Sequence, residues 1–355
     1  MKSFSSVTAF LKGAFATPAR GVVSLAIALG AAYALVPFVQ WAVIDAAWTG
    51  ASAADCQGKG ACWIFLGIRF DQIVYGSYPA ALHWRVDVAA ALGMVGAGLL
   101  FFMPSRPEKV TAAGIFFAGY TLLAGVLLRG GILGLDGVPT RLWGGLMLTV
   151  IIAAWTIASA IPIGLVLALA RRSRLPVIAL LAAAFIDVTR SLPLVGLLFL
   201  AIVLFPLFMP PGTETDRLIR VLMVFTIFNA ANLAEVFRGG LQAVPKGQSE
   251  AGWALGLPAG KVTWKIVVPQ AVYISIPATV NVCIAIVKET TIVLIVGMFD
   301  FLGVLQAALS DPEWLQAKES RVTAYFFAAV LFWVVCYGLS LCSLRLEKGR
   351  KVGQR

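Results

Sequence analysis

Long apolar runs, separated by short polar segments, make up most of this chain. Eight runs approach or exceed eighteen residues, the length that crosses a hydrocarbon core of about 30 Å at 1.5 Å per helical residue. The pattern predicts an all-α polytopic membrane protein with about eight transmembrane helices. The runs cover residues 21–44, 86–103, 110–128, 142–170, 177–209, 218–237, 268–299 and 322–344.

Charged residues and proline interrupt two of these runs. In the fifth run, Asp187, Arg190 and Pro193 predict an amphipathic segment at the membrane surface, followed by a span. In the seventh run, the adjacent charges of Lys288 and Glu289 predict a break. The part of the seventh run after this break is interpreted as a re-entrant or separate short element.

Composition agrees with a membrane protein: 60% of the 355 residues are hydrophobic, only 13% are charged, and the mean hydropathy is +0.91. With an inside N-terminus, the inside segments carry seventeen basic residues and the outside segments nine. Since basic residues are retained on the cytoplasmic side, both termini are predicted to be cytoplasmic. The net charge of +11 is thereby explained, and no solvated basic domain remains for nucleic acid.

The residues that interrupt the apolar runs change near residue 137. Residues 1–136 are predicted to form an N-terminal three-span extension with an outer loop at 45–85. Prolines and polar residues at membrane depth appear afterwards, so that 137–345 is predicted to be the functional five-span core. Residues 346–355 form a basic cytoplasmic tail. The first span follows a basic flank and is too long for a signal-peptide core, so we expect it to remain uncleaved.

The five cysteines fall into two groups. Cys56 and Cys62 lie six positions apart in the outer loop, where an oxidising compartment permits a disulfide. A local disulfide and two free thiols both remain open. Cys283, Cys336 and Cys342 lie in apolar runs, where cysteine is ordinarily a small core residue.

Catalytic chemistry finds little support in the sequence. The single histidine, His83, excludes a multi-histidine metal site and a Ser-His-Asp triad within this chain. The segment 256–262 is one residue short of a phosphate loop and has Val262 where Ser or Thr holds magnesium. We therefore predict no catalytic residue, no metal and no cofactor, and no ATP site on this chain.

A short helix is predicted in the polar loop between the sixth and seventh runs. Pro245 suits the first helical position, and residues 246–255 contain no helix breaker until Gly256 and Pro258. A helix of about ten residues is marginal alone in water, so it requires packing. It is either an ordinary loop helix lying on its own membrane domain or a helix that docks to a partner, with Glu250 the charge to be buried.

The loop resembles the EAA loop of ABC-importer permeases. The family pattern has Glu-Ala-Ala, then Gly, then Ile and Leu-Pro at fixed spacing. The spacing agrees throughout, and Gly252 for Ala and Val268 for Leu are the two departures. The matching residues are Glu250, Ala251, Gly252, Gly256, Ile266, Val268 and Pro269.

Other segments are similar to the polar amino-acid subfamily, namely 190–194, 234–240, 244–248 and 288–291. The resemblance covers roughly 141–345 and implies the five-helix core of a type I importer permease. The N-terminal extension is similar in length and layout to the longer permeases of general L-amino-acid uptake systems.

The resemblance also implies partners and roles. The loop helix would be the coupling helix, seated in a cleft of a cytoplasmic ABC ATPase dimer. A second permease subunit, homologous or identical, and a periplasmic amino-acid-binding protein would complete the importer in the lipid bilayer of a bacterial inner membrane. The implied ATPase-coupling residues are Pro245, Gln248, Glu250, Ala251, Gly252, Gly256 and Pro269. An ion-coupled secondary transporter of small polar solutes is the alternative.

Polar residues at membrane depth are candidates for the substrate pathway, because such groups are costly there and rarely lack a role. Asn229 and Asn232 are three apart and share one helix face. They would bind either end of an amino acid, or hydrogen-bond a neighbouring helix. Glu235 and Arg238, also three apart, are expected to form an ion pair that anchors the start of the loop.

Lys288 and Glu289 are adjacent, so each needs its own partner. Lys288 would bind a substrate carboxylate and Glu289 an ammonium, with Thr290 beside them on the pathway. The alternative is a set of ion pairs with Asp187, Arg190 or the partner permease.

Overall fold

The computed structural model describes residues 14, 16–103, 107–132, 134–210, 212 and 215–352. Within these ranges the regular elements are helical, and β-structure is limited to isolated bridges. The predicted all-α class is confirmed. The α-helices are α1 (Pro18–Val39), α2 (Trp63–Ile68), α3 (Phe70–Tyr75), α4 (His83–Phe102), α5 (Pro107–Arg129), α6 (Gly145–Arg171), α7 (Pro176–Ser191), α8 (Leu194–Phe199), α9 (Arg217–Ala243), α10 (Lys246–Ala254), α11 (Ala259–Val262), α12 (Val268–Glu289), α13 (Phe301–Leu309), α14 (Pro312–Leu315) and α15 (Lys318–Val352).

Five helical segments in the described ranges are long and apolar enough to cross a membrane, and a bent pair of helices makes a sixth if it counts as one span. Helices α4 and α5 lie where the second and third spans were predicted, and Tyr120 Oη donates to the Ala89 carbonyl between them at 3.0 Å. The count of eight spans stays a prediction. The five segments are Pro18–Ile44, Gly145–Arg171, Arg217–Ala243, Ala259–Val296 and Lys318–Leu344.

The fifth predicted run is broken at the proline, as expected. Helix α7 ends at Ser191, and the chain resumes as helix at Leu194 with a bend of 100°. Leu192 is extended, with φ −93° and ψ 140°, because the ring of Pro193 disfavours the helical region for the residue before it. The location of α7 at the membrane surface stays a prediction.

The seventh run also changes where the charges predicted a break. Helix α12 ends at Glu289 and continues as the 3-10 helix Thr290–Val296, which stops at the left-handed Gly297. At its start, α12 follows the π-helix Thr263–Val267. Pro269 has no N–H to donate to the carbonyl four residues earlier, which accounts for the irregular winding before it.

Contacts divide the chain into two compact units. One holds the described residues of Met1–Arg69 together with Ala308–Phe327, and the other holds Phe70–Ala307 and Ala328–Arg355. This grouping differs from the boundary near residue 137, which stays a prediction. Residues 353–355 of the predicted tail lie outside the described ranges, as do residues 1–13 of the extension.

The smaller unit is held together by contacts between distant segments. Cys56 and Cys62 form a disulfide, which settles the alternative that the sequence left open. The Cys62 amide donates to Thr323 Oγ1 at 2.7 Å, and Arg69 pairs with Asp311 at 2.5 Å. These contacts attach the outer loop to the segment Ala308–Phe327.

The larger unit is built around helix α9, which packs on α6, α7 and α12. Its contact with α12 depends on Gly240, since a Cβ there would lie 2.0 Å from Ser275 Oγ and 2.6 Å from the Ala271 carbonyl oxygen. The adjacent Gly239 has open space where its Cβ would be. Only glycine permits this close crossing.

The disulfide predicts a thiol count. Of the five cysteines, Cys283, Cys336 and Cys342 are free, so the unreduced, denatured protein should react with a maleimide at three positions. Prior reduction should raise the number to five, and the Cys56→Ser variant should give four without reduction. Five reactive thiols in the unreduced wild type would contradict the disulfide.

The close crossing predicts that Gly240→Ala lowers the free energy of unfolding by about 1–3 kcal/mol, because the added methyl group overpacks the contact between α9 and α12. Gly239→Ala is the matched control and should be neutral or slightly stabilising. Thermal unfolding of the purified protein in detergent measures both, and equal effects of the two substitutions would argue against the tight crossing.

Candidate functional site

The predicted loop helix is present and has well-defined ends. It spans Lys246–Ala254, nine residues, with Pro245 as its N-cap. The prediction that Pro245 is the first helical residue is wrong: its ψ of 136° is extended, and its carbonyl accepts from the Gln248 amide at 3.0 Å. Gly256 ends the helix with φ +75°, and the Leu257 amide donates to the Gly252 carbonyl, which together form a Schellman cap.

One face of the loop helix packs on its own chain. Gly252 is buried, and a Cβ there would lie 2.9 Å from Val262 and 3.0 Å from Ile266. The departure from the family's alanine therefore has a structural cause. Gln248 accepts a hydrogen bond from Gln270 at 3.3 Å, which also ties the helix to the start of α12.

The other face of the helix is exposed. Glu250, Ala251 and Pro269 are exposed, and Glu250 forms no ion pair among the described residues. Large apolar side chains lie in the same loop, with Trp253 51%, Leu255 80% and Trp264 58% exposed. The loop thus presents a carboxylate among apolar groups, a surface suited to a protein partner. The sequence analysis did not single out Trp264.

A cluster of ion pairs lies at one end of α9, with Glu235 at its centre. Arg238 donates to Glu235 Oε2 at 2.6 and 2.9 Å, so the expected ion pair is present. Arg171 of α6 donates to Oε1 at 2.7 Å, and Arg190 of α7 lies 3.8 Å from Oε2. Arg171 also pairs with Asp187 at 3.0 Å. The cluster therefore joins three helices.

Arg171 has a part in this cluster that was not predicted from the sequence. It was counted only as a basic residue at the inside end of a span. Its position 64 residues before Glu235 gives no local signal, because only the packing of α6 on α9 brings the two together. The role of Glu235 and Arg238 as an anchor of the loop stays a prediction.

A cavity of about 530 Å³ lies beside this cluster. Asn229 and Asn232 both line it, in agreement with their shared helix face, and Glu289 faces it from α12. Asn281, which the sequence analysis did not consider, adds a third amide. The polar lining residues are Arg190, Asn229, Asn232, Glu235, Asn281 and Glu289.

Asn229 is buried and contacts the adjacent helix as well as the cavity. Its Nδ2 donates to the Phe225 carbonyl at 3.1 Å and to Glu289 Oε2 at 3.5 Å. Glu289 is half-buried. This bond between helices is one of the two roles that the sequence left open for the asparagine.

Lys288 and Thr290 are not among the described residues that line the cavity. Lys288 is exposed, and Thr290 is fully buried with its hydroxyl donating to the Val287 carbonyl at 2.8 Å. Asp187 and Arg190, the alternative partners of Lys288 and Glu289, pair instead with Arg171 and Glu235. A pathway role for Lys288 and Thr290 stays a prediction.

Asp300 is a buried carboxylate that the sequence analysis did not consider. Its Oδ1 accepts from the Gly303 amide at 3.0 Å at the start of α13. Burial raises the pKa of Asp300 to about 6, although the hydrogen bond from the Gly303 amide acts to lower it. Thr149 lies beside it and accepts from the Phe301 amide at 3.0 Å. We interpret Asp300 as a structural cap that joins α13 to α6.

The cluster predicts unequal effects for its two carboxylates. Glu235→Gln should lower the free energy of unfolding by about 2–3 kcal/mol, because three guanidinium groups lose the anion that they share. Asp187→Asn, whose side chain is 58% exposed, should cost about 1 kcal/mol or less. Denaturant unfolding in detergent measures the difference, and equal losses would show that Glu235 is not the centre of the cluster.

Comparison with known proteins shows the family. The family described as "Binding-protein-dependent transport system inner membrane component" matches residues 160–351. The chain is 42% identical over 320 residues to the inner membrane amino-acid ABC transporter permease protein YhdY of Escherichia coli (strain K12), covering 90% of this chain and 86% of that protein. It is 31% identical over 378 residues to the glutamate/glutamine/aspartate/asparagine transport system permease protein BztC of Rhodobacter capsulatus, covering 88% and 86%.

A solved structure agrees in fold with part of the chain. The crystal structure of an amino acid ABC transporter with histidines is 27% identical and covers 57% of this chain and 92% of its own, with a TM-score of 0.51. The comparisons do not support the alternative of a secondary transporter. In this family the permease is the multi-pass inner-membrane component, and ATP hydrolysis lies in a separate subunit. The chain therefore belongs to the binding-protein-dependent transport system inner membrane components, as the permease subunit of an ABC importer.

Proposed function

We propose that this permease moves polar or general L-amino acids across the inner membrane, with the loop at 245–260 as its coupling element. The observation that carries the proposal is a cavity lined by three amides, two carboxylates and an arginine, in the same unit as the exposed loop helix. The printed names of two relatives, an amino-acid permease and a glutamate/glutamine/aspartate/asparagine permease, support this class of solute.

The cavity has groups that suit an amino acid. Carboxamides both donate and accept hydrogen bonds, so Asn229, Asn232 and Asn281 can bind a carboxylate or an ammonium. Glu289 supplies a negative charge for the ammonium. Lys288 and Thr290 remain proposed members of the pathway at positions outside this cavity, where a partner permease would bring the solute past them.

The coupling role rests on what the loop buries and what it exposes. Gly252 and the Schellman cap at Gly256 fix the helix against its own chain. Pro245, Glu250, Ala251 and Pro269 are exposed, and so is Gln248 apart from its hydrogen bond with Gln270. A helix held rigidly on one side and free on the other transmits a partner's movement to α9 and α12, which flank the loop.

The proposed assembly has two permease chains, identical or homologous, and two ATPase subunits. A periplasmic amino-acid-binding protein delivers the solute on the opposite side. Both termini and the coupling loop face the cytoplasm, and residues 137–345 form the transport core. The excess of basic residues in the inside segments supports this orientation.

Glu250→Lys is predicted to abolish retention of the ATPase subunit, or to uncouple ATP hydrolysis from uptake, while the permease still folds. Glu250 is exposed and has no ion pair among the described residues, so the fold does not depend on it. The measurement is co-purification of the ATPase, followed by ATPase stimulation in proteoliposomes that contain the binding protein.

Asp71→Lys makes the same charge change at another exposed position and should retain the ATPase. Coupled transport by the Glu250→Lys variant would reject the docking assignment.

A second measurement tests the energy source. Uptake should continue when the membrane potential is collapsed and ATP is retained, and loss of uptake under those conditions would reject ATP-driven import.

A further inference from the structure

The three arginines around Glu235 are not equivalent. Both oxygens of the carboxylate already accept hydrogen bonds, Oε1 from Arg171 and Oε2 twice from Arg238. Arg190 Nη1 is 3.8 Å from Oε2, beyond hydrogen-bond distance. Arg171 and Arg238 therefore suffice to bind Glu235, and Arg190 is held only by weak attraction.

Arg190 has N–H donors that form no hydrogen bond among the described residues, and it lines the cavity. Its guanidinium carries five N–H donors, and within the described residues it forms the single 3.8 Å ion pair and no hydrogen bond. It lines the cavity, and its side chain is 42% exposed. Asp187, one turn earlier on the same helix, is bound to Arg171 at 3.0 Å. Both carboxylates near Arg190, those of Glu235 and Asp187, are thus paired with a different arginine.

The cavity also contains an anion without a cationic partner. Glu289 forms no ion pair with any described residue, and its polar contact is the 3.5 Å bond from Asn229. Because Glu235 is neutralised by Arg171 and Arg238, the charges left for a ligand are those of Arg190 and Glu289. One cation and one anion, with amides in the same wall, match the charges of a zwitterion.

We propose that Arg190 binds the carboxylate of the transported amino acid, while Glu289 binds its ammonium. This inference rests on the proposed function and gives the carboxylate to Arg190 instead of Lys288. A guanidinium binds a carboxylate through two parallel N–H bonds, which a lysine at this position would not reproduce. When the solute binds, Arg190 leaves its weak contact with Glu235 while the other two arginines keep that carboxylate neutralised.

The test uses the co-purified permease–ATPase complex without binding protein, so that binding reports on the permease. The probe is the radiolabelled L-amino acid, among the twenty, that the wild type binds most tightly. Its unlabelled form and its α-carboxamide compete, and the ratio of their inhibition constants measures recognition of the carboxylate. The wild type should prefer the carboxylate by about tenfold or more. Arg190→Gln should reduce this ratio to about one by the loss of that charge-assisted pair.

Arg174→Gln is the matched control, because it removes an exposed arginine that lies just before α7 and does not line the cavity; its ratio should equal that of the wild type. Arg190→Lys keeps the positive charge but not the two parallel N–H donors of the guanidinium, so it should lower the ratio several-fold. This variant provides a test even if the Arg190→Gln complex does not assemble. An unchanged ratio in the Arg190 variants, or a ratio lost in Arg174→Gln, would overturn the assignment. A wild type that binds none of the twenty amino acids would instead reject the proposed function.

Discussion

The shared carboxylate of Glu235 is the interaction on which the packing of the larger unit depends. Arginines from α6, α7 and α9 converge on it, so that one carboxylate attracts cationic side chains from three helices. Guanidinium groups near the hydrocarbon are costly unless paired, and the pairing fixes where these helices meet. The cavity lies beside this cluster and shares Arg190 and Glu235 with it. The charges that join the helices thus also line the cavity.

The loop helix shows how a short helix is made rigid in an exposed place. The N-cap at Pro245, the left-handed Gly256 and the contact of Gly252 with Val262 and Ile266 fix its position. None of these features involves a partner. They leave Glu250 and the apolar groups Trp253 and Leu255 on the outer side. Part of the family pattern is therefore explained by the structure of the loop alone.

The two polar breaks predicted from the sequence illustrate what local chemistry specifies. Proline restricts its own backbone and that of the residue before it, so the bend at Pro193 follows from the sequence alone. The loop helix was predictable because the residues that start and end it are adjacent to it in the sequence. The pair of Glu235 with Arg238 was predictable because the two residues lie three positions apart. The number of spans is harder to predict, because an apolar helix buried in protein and one facing lipid have similar compositions.

The sequence by itself determined the all-helical membrane class, the breaks in the runs, the position of the loop helix and the family, because these depend on hydrophobic periodicity and on residues close together in the chain. Only the tertiary structure decided that Arg171 completes the cluster around Glu235, that Asn281 joins Asn229 at the cavity, and that Arg190 lines it where Lys288 does not. Arg171 and Glu235 are 64 residues apart, and the residues that meet at the cavity come from three helices, α7, α9 and α12. The physical basis of these relations is the packing of α9 on its neighbours, which no local pattern encodes.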